Sequence, residues 1–220
     1  MKNLFDVSGK VALVTGGSRG IGEMIAEGFV ANGVKTYISA RKADACDATA
    51  ARLSEQGECI SIPADLSTTE GINELAGEIK SREGQLDILV NNAGATWGAT
   101  IEEFPEAAWD KVMDINVKGP FFLTQALLPL LEASASAEDP ARIINVGSIL
   151  FTLSPSIEPT LIIRAGSSAD AAASSKGSKA WVRKNGPLTF MSITLSQAAS
   201  GNSSIVAPQV APALFTRISS

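Results

Sequence analysis

Short apolar runs alternate with longer amphipathic segments along the first 150 residues. The run at residues 11–14 (VALV) is apolar at every position, which indicates a strand covered on both faces, as in a parallel sheet. A helix is predicted after it, and the Asn32-Gly33 pair is a typical signal for its end. The residues predicted to form the buried face of this helix are Ile21, Met24, Ile25 and Phe29.

The same alternation continues as far as a fifth strand. Ser67 and Glu70 have the spacing of a capping box and predict where one helix begins. Alternating strands and helices are typical of βαβ units, so we predict an α/β fold with a doubly wound parallel sheet. Further strands are predicted at 34–39, 58–62, 87–90 and 142–146, and further helices at 44–56, 67–82 and 106–131.

The last third of the chain departs from this pattern. Residues 151–220 contain 14 serines and six Lys or Arg residues, but only two acids, Glu158 and Asp170. Residues 161–163 and 190–195 are the best strand candidates in this region. We therefore expect two regions, a doubly wound α/β domain over 1–149 and an atypical tail over 150–220.

Composition excludes several classes of site and partner. The chain has no histidine, which removes Ser-His-Asp catalysis and histidine metal sites, and we predict no metal. The formal net charge of −5 argues against binding nucleic acid. Cys46 and Cys59 lack CxxC spacing and are expected to be buried or inert thiols in a reducing compartment. With no apolar run long enough for a signal peptide or membrane helix, we expect a soluble cytoplasmic protein.

A glycine-rich segment at residues 15–22 (TGGSRGIG) lies between the first strand and the first helix. Glycines there let backbone N–H groups approach a pyrophosphate without a Cβ in the way. The start of the helix adds partial positive charge. The alternative is an ordinary glycine-rich turn, but the strand–turn–helix context favours dinucleotide binding.

The end of the second strand indicates which dinucleotide is bound. Folds that prefer NAD place an acid there for the ribose hydroxyls, whereas NADP requires a cation for its 2′-phosphate. This chain has Arg41 and Lys42 and no acid before Asp44. Arg19 in the glycine segment suits the same phosphate. We therefore predict NADP(H); the alternative is that Arg41 and Lys42 form a solvated helix entry.

Five motifs in order resemble those of the short-chain dehydrogenase/reductase family. The 15–22 segment is similar to its TGxxxGxG loop, and residues 91–94 (NNAG) match a second family motif. Asp65-Leu66 resembles the pair bordering the adenine. Asn116 and Ser148 match the family's relay asparagine and catalytic serine. Residues 1–149 are most similar to the 3-oxoacyl-(acyl-carrier-protein) reductase branch, of the type associated with rhamnolipid synthesis.

The resemblance implies a Rossmann-type fold and an NADPH-dependent oxidoreductase that transfers hydride to a carbonyl, such as that of a 3-oxoacyl thioester. It implies a small-molecule substrate, no nucleic-acid or membrane partner, and a homo-oligomer for the intact family. Asn116 and Ser148 take the catalytic positions. The implied cofactor-binding residues are Gly16, Ser18, Arg19, Gly20, Ile21, Gly22, Arg41, Asp65, Leu66, Asn92, Ala93 and Gly94.

The resemblance ends near residue 149. The family's Tyr-x-x-x-Lys proton donor is missing, since the one tyrosine, Tyr37, lies on the second predicted strand. We therefore expect impaired activity; the alternatives are an inactive NADP-binding module and a frameshifted, non-functional product. A frameshift near codon 149 and a divergent segment with its own substrate lid are the two explanations of the tail. Loss of the family's last strands would leave the place beside the fifth strand open.

Overall fold

The computed structural model describes residues 6–100, 102–136, 138–149, 160–163 and 188–196. The strands and helices predicted for the first 150 residues occur in the expected order. Among the described residues, no helix combines the length and apolar character needed to cross a membrane. The strands are β1 (Val11–Thr15), β2 (Lys35–Ser39), β3 (Cys59–Ser61), β4 (Ile88–Asn91), β5 (Trp97–Thr100), β6 (Ala141–Ile149), β7 (Thr160–Ile163) and β8 (Leu188–Ser196). The helices are α1 (Gly20–Ala31), α2 (Ala43–Leu53), α3 (Thr69–Arg82), α4 (Glu106–Met113) and α5 (Gly119–Ser134).

Six of these strands form one parallel sheet in the order β3-β2-β1-β4-β6-β8. The order reverses direction at β1, because β2 and β3 lie on one side of it and β4 and β6 on the other. This is the doubly wound Rossmann-type arrangement, so the predicted fold class is confirmed. The reversal places the ends of β1 and β4 beside one crevice, where ligands bind in such sheets.

Strand β1 is buried on both faces, as its unbroken apolar run predicts. Leu13 belongs to the core beneath α3 and α5, whereas Ala12 and Val14 belong to the core beneath α1 and α2. All five residues of β1 are buried. A sheet covered on both faces by helices explains why this strand shows no polar alternation.

The predicted buried face of α1 is wrong. Ile21 and Met24 are 47% and 69% exposed, and Ile25 and Phe29 are only partly buried. The fully buried side is formed by small residues, Gly22 and Ala26, with Val30. Small side chains let the helix lie close against β1, and this close approach decides which face is buried. Apolar periodicity alone favours the face with the larger side chains and therefore does not predict the face that is buried.

The start of α3 also differs from its prediction. The N-cap residue is Thr68, whose hydroxyl accepts a hydrogen bond from the Gly71 N–H at 3.1 Å. Ser67, the residue predicted to cap the helix, donates its hydroxyl to Asp65 at 2.7 Å instead. The carboxylate of Asp65 therefore competes successfully for Ser67, and the cap moves one residue along the chain.

The helix predicted over 106–131 is interrupted in the middle. A π-helical turn at Asp114–Lys118 joins α4 to α5. Wider turns of this kind are rare in helices and occur often at functional sites. Asn116, one of the predicted site residues, lies inside this turn.

Two of the strand candidates from the last third are strands in the structure. β8 pairs with β6 in parallel, from Ala141 opposite Leu188 to Ile149 opposite Ser196. β7 pairs antiparallel with β5, which the sequence did not predict. The expectation of an open place beside the fifth predicted strand, β6, is therefore wrong, because β8 occupies it.

Both cysteines are buried and free, as expected. Cys46 lies on α2 and Cys59 on β3, within the core beneath α1 and α2. Burial raises the pKa of each thiol to about 11. Such thiols are poor nucleophiles, since the reactive form is the thiolate.

Candidate coenzyme-binding site

The glycine segment turns the chain sharply between β1 and α1. Gly16 has φ +67° and Gly20 has φ +57°, in the left-handed region that favours glycine. The carbonyl oxygen of Ser39, the last residue of β2, accepts hydrogen bonds from the N–H groups of Gly16 and Gly17, at 2.7 and 3.2 Å. The turn is thereby attached to the end of the neighbouring strand, which fixes its position above the sheet.

Gly22 shows how closely the helix and the turn approach each other. A Cβ at this position would lie 2.2 Å from the Gly16 carbonyl oxygen and 2.5 Å from the Asn92 side-chain nitrogen. The side chain of Arg19, the N-cap residue of α1, makes no capping hydrogen bond. The first-turn amides of a helix have no acceptor within it, so α1 presents uncapped donors at the bend. These features fit a pyrophosphate.

Exposed cations lie at the same edge of the sheet. Arg19, Arg41 and Lys42 are all exposed, and none forms a salt bridge with the residues that the structure describes. Arg41 follows the end of β2, and Arg19 immediately precedes α1. Both guanidinium groups are therefore available to a phosphate near the end of β2.

Asp65 follows β3 at this edge. Burial raises the pKa of its carboxyl, but two hydrogen bonds from Ser67 and the positive charge of Arg41 outweigh burial, so its pKa is lowered. The neighbouring Leu66 is buried. Asp65 is thus an ionised acceptor that interacts electrostatically with Arg41.

The Thr15 hydroxyl joins the glycine turn to the NNAG segment. It accepts hydrogen bonds from the N–H groups of Asn92 and Ala93, both at 3.0 Å, and donates to the Val90 carbonyl oxygen at 3.2 Å. The Asn92 side chain donates back to the carbonyl oxygens of Thr15 and Gly16, at 3.0 and 3.3 Å. Two predicted motifs, distant in the sequence, therefore form one surface.

Asn116 holds the chain just beyond the NNAG segment. Its side-chain oxygen accepts from the Ala95 N–H at 2.9 Å, and its side-chain nitrogen donates to the Ala95 carbonyl oxygen at 2.7 Å. A Cβ on Gly94 would lie 2.9 Å from the same Asn116 oxygen. Both polar atoms of the Asn116 side chain are therefore bound to the backbone of Ala95, which fixes the position of the chain just after the NNAG segment.

Ser148 lies near the end of β6, with its backbone paired in register with Leu195 of β8. The motif predicts this serine after the fifth strand, whereas β6 continues through it to Ile149. The place of the family's Tyr-x-x-x-Lys motif, beyond β6, lies outside the described ranges.

Sequence reasoning missed a buried polar pair beneath the site. Asn145 of β6 and Asn91 of β4 lie opposite each other in register, and both are buried. The signal was an asparagine within an otherwise apolar strand, which requires a polar partner when buried.

The only tyrosine of the chain is engaged elsewhere. Tyr37 is buried on β2. Its hydroxyl donates a 2.5 Å hydrogen bond to the carboxylate of Glu83, the residue directly after the end of α3. Burial, followed by the Glu83 hydrogen bond, raises its pKa to about 12. Such a hydroxyl is a poor proton donor near neutral pH. In the part of the chain that was searched, no group of three acidic or cysteine side chains could hold a metal ion.

Comparison with known proteins agrees with this geometry. The family model for the short chain dehydrogenase matches residues 10–156. The rhamnolipids biosynthesis 3-oxoacyl-(acyl-carrier-protein) reductase of Pseudomonas aeruginosa is 54% identical over 149 residues, which are 68% of this chain and 58% of that protein. An uncharacterized oxidoreductase of Bacillus subtilis, YxjF, is 34% identical over 141 residues, covering 64% of this chain and 53% of its own.

Solved structures show the same partial coverage. The Pseudomonas aeruginosa RhlG/NADP active-site complex superposes with a TM-score of 0.64 at 54% identity, over 67% of this chain and 58% of that one. L-Sorbose reductase from Gluconobacter frateurii, complexed with NADPH and L-sorbose, gives 0.61 at 35% identity, over 64% and 53%. The chain therefore spans between half and three fifths of the length of these relatives.

Proposed function

The chain belongs to the short-chain dehydrogenase family, and from this premise we propose that it carries the NADPH-binding part of a carbonyl-reducing oxidoreductase. Support comes from its similarity to a 3-oxoacyl-(acyl-carrier-protein) reductase and from the NADP and NADPH in two related structures. The name of the first relative supports a 3-oxoacyl thioester as the substrate class.

The observation that carries this proposal is the bend at Gly16 and Gly22. Two close approaches leave no space for side chains there, and the uncapped start of α1 follows immediately. This arrangement suits a diphosphate that must reach backbone N–H groups directly. A purely structural glycine turn would not require an uncapped helix start next to guanidinium groups that form no salt bridge with the described residues.

We assign the binding roles as follows. The Gly16 and Gly17 amides are used by Ser39, so the amides that follow them, up to the start of α1, hold the diphosphate, and the two guanidinium groups select the 2′-phosphate. Asp65 and Leu66 border the adenine, and the NNAG segment lines the ribose and nicotinamide side. The residues proposed to bind the coenzyme are Gly16, Ser18, Arg19, Gly20, Ile21, Gly22, Arg41, Asp65, Leu66, Asn92, Ala93 and Gly94. Ile21 suits such a role because its side chain is 47% exposed.

Catalysis needs a hydride and a proton. Bound NADPH would supply the hydride to the carbonyl carbon. We propose that Ser148 polarises the carbonyl oxygen and that Asn116 orients the segment after NNAG through Ala95. A positioned acid contributes about 10²–10⁴-fold to such a step, and the sequence offers no Tyr-x-x-x-Lys to supply it. We therefore propose that turnover by this chain is impaired.

Coenzyme titration tests the proposal directly. The purified chain is titrated with NADPH and with NADH by calorimetry, and its thermal unfolding is followed with and without each coenzyme. A ligand that binds only the folded state must raise the melting temperature. We expect binding of NADPH and weaker binding of NADH. A folded protein that binds neither coenzyme would refute the proposed function.

The one tyrosine of the chain, Tyr37, is bound to Glu83 and is therefore not free to donate a proton to a substrate. This contact favours a second function, that of a catalytically inactive NADP-binding module. NADPH oxidation with 3-oxoacyl thioesters and simple ketones separates the two functions. Turnover supports the reductase, whereas binding without turnover supports the module.

The origin of the tail is a separate question. We propose that residues 150–220 replace the catalytic Tyr/Lys and substrate-binding region, through a reading-frame shift near codon 149. Sequencing the transcript across this junction tests the idea. An alternative frame that encodes Tyr-x-x-x-Lys supports it, and the absence of such a frame favours a divergent segment.

An interface on α5 would join the intact form into a homo-oligomer. Its support is the pair Phe121 and Phe122, which are 48% and 42% exposed with rings 5.2 Å apart. Sedimentation of the wild-type chain shows whether these residues assemble on their own. Where they do, Phe121→Ser should shift the oligomer toward monomer, and an oligomer unaffected by the variant would contradict this interface.

A further inference from the structure

We propose that Thr49, a residue outside the recognised motifs, is a positioning residue for coenzyme selectivity. It would act by holding the Ser18–Arg19 peptide in the orientation that presents Arg19 to the 2′-phosphate. This inference rests on the proposed NADPH binding.

The contact that supports it crosses from α2 to the glycine bend. Thr49 is 8% exposed, and its hydroxyl donates a 3.0 Å hydrogen bond to the carbonyl oxygen of Ser18. A threonine hydroxyl within a helix commonly bonds to the carbonyl of its own preceding turn. Here the hydroxyl leaves its helix and binds the residue directly before Arg19.

The geometry of the peptide group gives this contact a direction. The carbonyl and N–H groups of a trans peptide point to opposite sides. Because the Ser18 carbonyl oxygen is held by Thr49, the N–H of Arg19 is directed away from α2. No acceptor for this N–H is found among the residues described, so it remains available at the start of α1.

Ion pairs between α2 and α1, the helix that follows the bend, support the idea that α2 and the bend keep a fixed separation. Arg52, one turn beyond Thr49 on α2, binds Glu23 of α1 at 2.6 Å and approaches Glu27 at 3.8 Å. These ion pairs are exposed and contribute little stability by themselves. Thr49 and Arg52 together therefore join α2 to the bend and to the helix that follows it.

The connection between α2 and the bend matters because each of the two helix starts carries one of the guanidinium groups proposed to select the 2′-phosphate. Arg19 is the N-cap residue of α1, and Arg41 directly precedes Lys42, the N-cap residue of α2. The two guanidinium groups can meet one phosphate only if the two helix starts keep their spacing. Thr49 is the buried contact between α2 and the bend, so it governs this spacing more than the exposed pairs do.

The test compares the affinities of the full chain for NADPH and NADH by calorimetry. Thr49→Val removes the hydroxyl and nearly keeps the shape. We expect its NADPH dissociation constant to rise by roughly three- to tenfold, the range of one neutral hydrogen bond, and its NADH constant by no more than about twofold. Thr49→Ser keeps the hydroxyl and should restore the wild-type selectivity.

A matched control distinguishes positioning from stability. The hydroxyl of Ser54, at the C-terminal end of α2, lies 2.8 Å from the carbonyl oxygens of both Ala50 and Cys59 and donates its one proton to this pair of acceptors. Ser54→Ala should lower the melting temperature without changing the NADPH-to-NADH ratio. If Thr49→Val fails to fold, Thr49→Ala provides a second variant without the hydroxyl.

A double-mutant cycle examines whether Thr49 acts through Arg19. Once Arg19→Gln is present, adding Thr49→Val should change NADPH affinity by less than about twofold. Equal losses for both coenzymes, or full additivity with Arg19→Gln, would overturn the inference. A wild-type chain that binds neither coenzyme refutes the proposed function itself, which is a different result.

Discussion

The side-chain nitrogen of Asn91 donates a 3.0 Å hydrogen bond to the side-chain oxygen of Asn145 across the paired strands β4 and β6. Both residues are buried, at 5% and 2% exposure. The side-chain oxygen of Asn91 has no hydrogen-bond partner among the described residues. This pair is therefore one partly satisfied polar contact within an apolar sheet, directly beneath the NNAG turn.

Replacing Asn145 by Leu leaves the Asn91 amide buried without its acceptor. We expect Asn145→Leu to lower the free energy of unfolding by about 1–3 kcal/mol, the usual cost of a buried unsatisfied polar group. Urea denaturation measures the change. Asn91→Leu/Asn145→Leu should be destabilised by less than the sum of the single variants, because both partners are then apolar. Strictly additive losses would show that the two amides do not interact.

Adding a methyl group to Gly22 should disrupt the bend. The new Cβ would lie 2.2 Å from the Gly16 carbonyl oxygen, so the helix or the turn must move. We expect Gly22→Ala to cost about 3 kcal/mol of stability and to abolish NADPH binding. Thermal unfolding with and without NADPH measures both effects.

Gly28 provides the matched control on the same helix. It is exposed, and a Cβ there meets nothing within 4 Å. Gly28→Ala should raise stability by up to about 1 kcal/mol, since alanine is the better helix former. Equal behaviour of the two variants would mean that the close approach at Gly22 has no consequence.

Removal of the Arg41 charge should alter coenzyme preference. We expect Arg41→Ala to weaken NADPH binding about tenfold while NADH binding stays unchanged, because only NADPH carries the 2′-phosphate. Calorimetric titration with both coenzymes gives the ratio. Arg82→Ala is the control, since Arg82 pairs with Glu78 at the end of α3 and should leave the ratio unchanged. An unchanged ratio in Arg41→Ala would remove this residue from the proposed site.

The single tyrosine allows a direct optical titration. Burial and the Glu83 hydrogen bond raise the pKa of Tyr37 from its ordinary 10.0 to about 12. Because the folded-state pKa is the higher one, this group stabilises the fold fully below pH 10, and the contribution is lost as the pH rises through about 12. Tyrosinate absorbance should therefore have its midpoint near 12 in the folded chain.

The same chain unfolded in urea gives the reference midpoint, which we expect at the ordinary value. Glu83→Gln should lower the folded-state pKa of Tyr37, because it removes the negative charge that opposes ionisation. A folded-state midpoint at the unfolded value would contradict the buried contact between Tyr37 and Glu83.

The order of strands and helices was predictable because it depends on local signals. The unbroken apolar run of β1 and the glycines after it describe a strand and a turn without knowledge of any neighbour. The face of α1 was not predictable in this way. Gly22 and Ala26 are buried because the helix lies close to β1, and that distance is a tertiary property.

The candidate site was predictable where a motif names the residue and unpredictable where contacts decide. Arg41 and Asn92 follow from position alone. Thr49 and Asn145 do not, because their importance comes from partners 31 and 54 residues away, Ser18 and Asn91. The cap at Thr68 shows the same limit on a smaller scale, since Asp65 takes the hydroxyl that the spacing assigns to the helix.

The hydroxyl of Thr15 has a further consequence. Its three hydrogen bonds tie the end of β1 to β4, through Val90, and to the turn after β4, through Asn92 and Ala93, so these segments are held together. Much of the conformational entropy of this surface is therefore lost during folding, before any small molecule arrives. Association then requires less ordering of the protein, which is how a preorganised platform gains affinity without additional contacts.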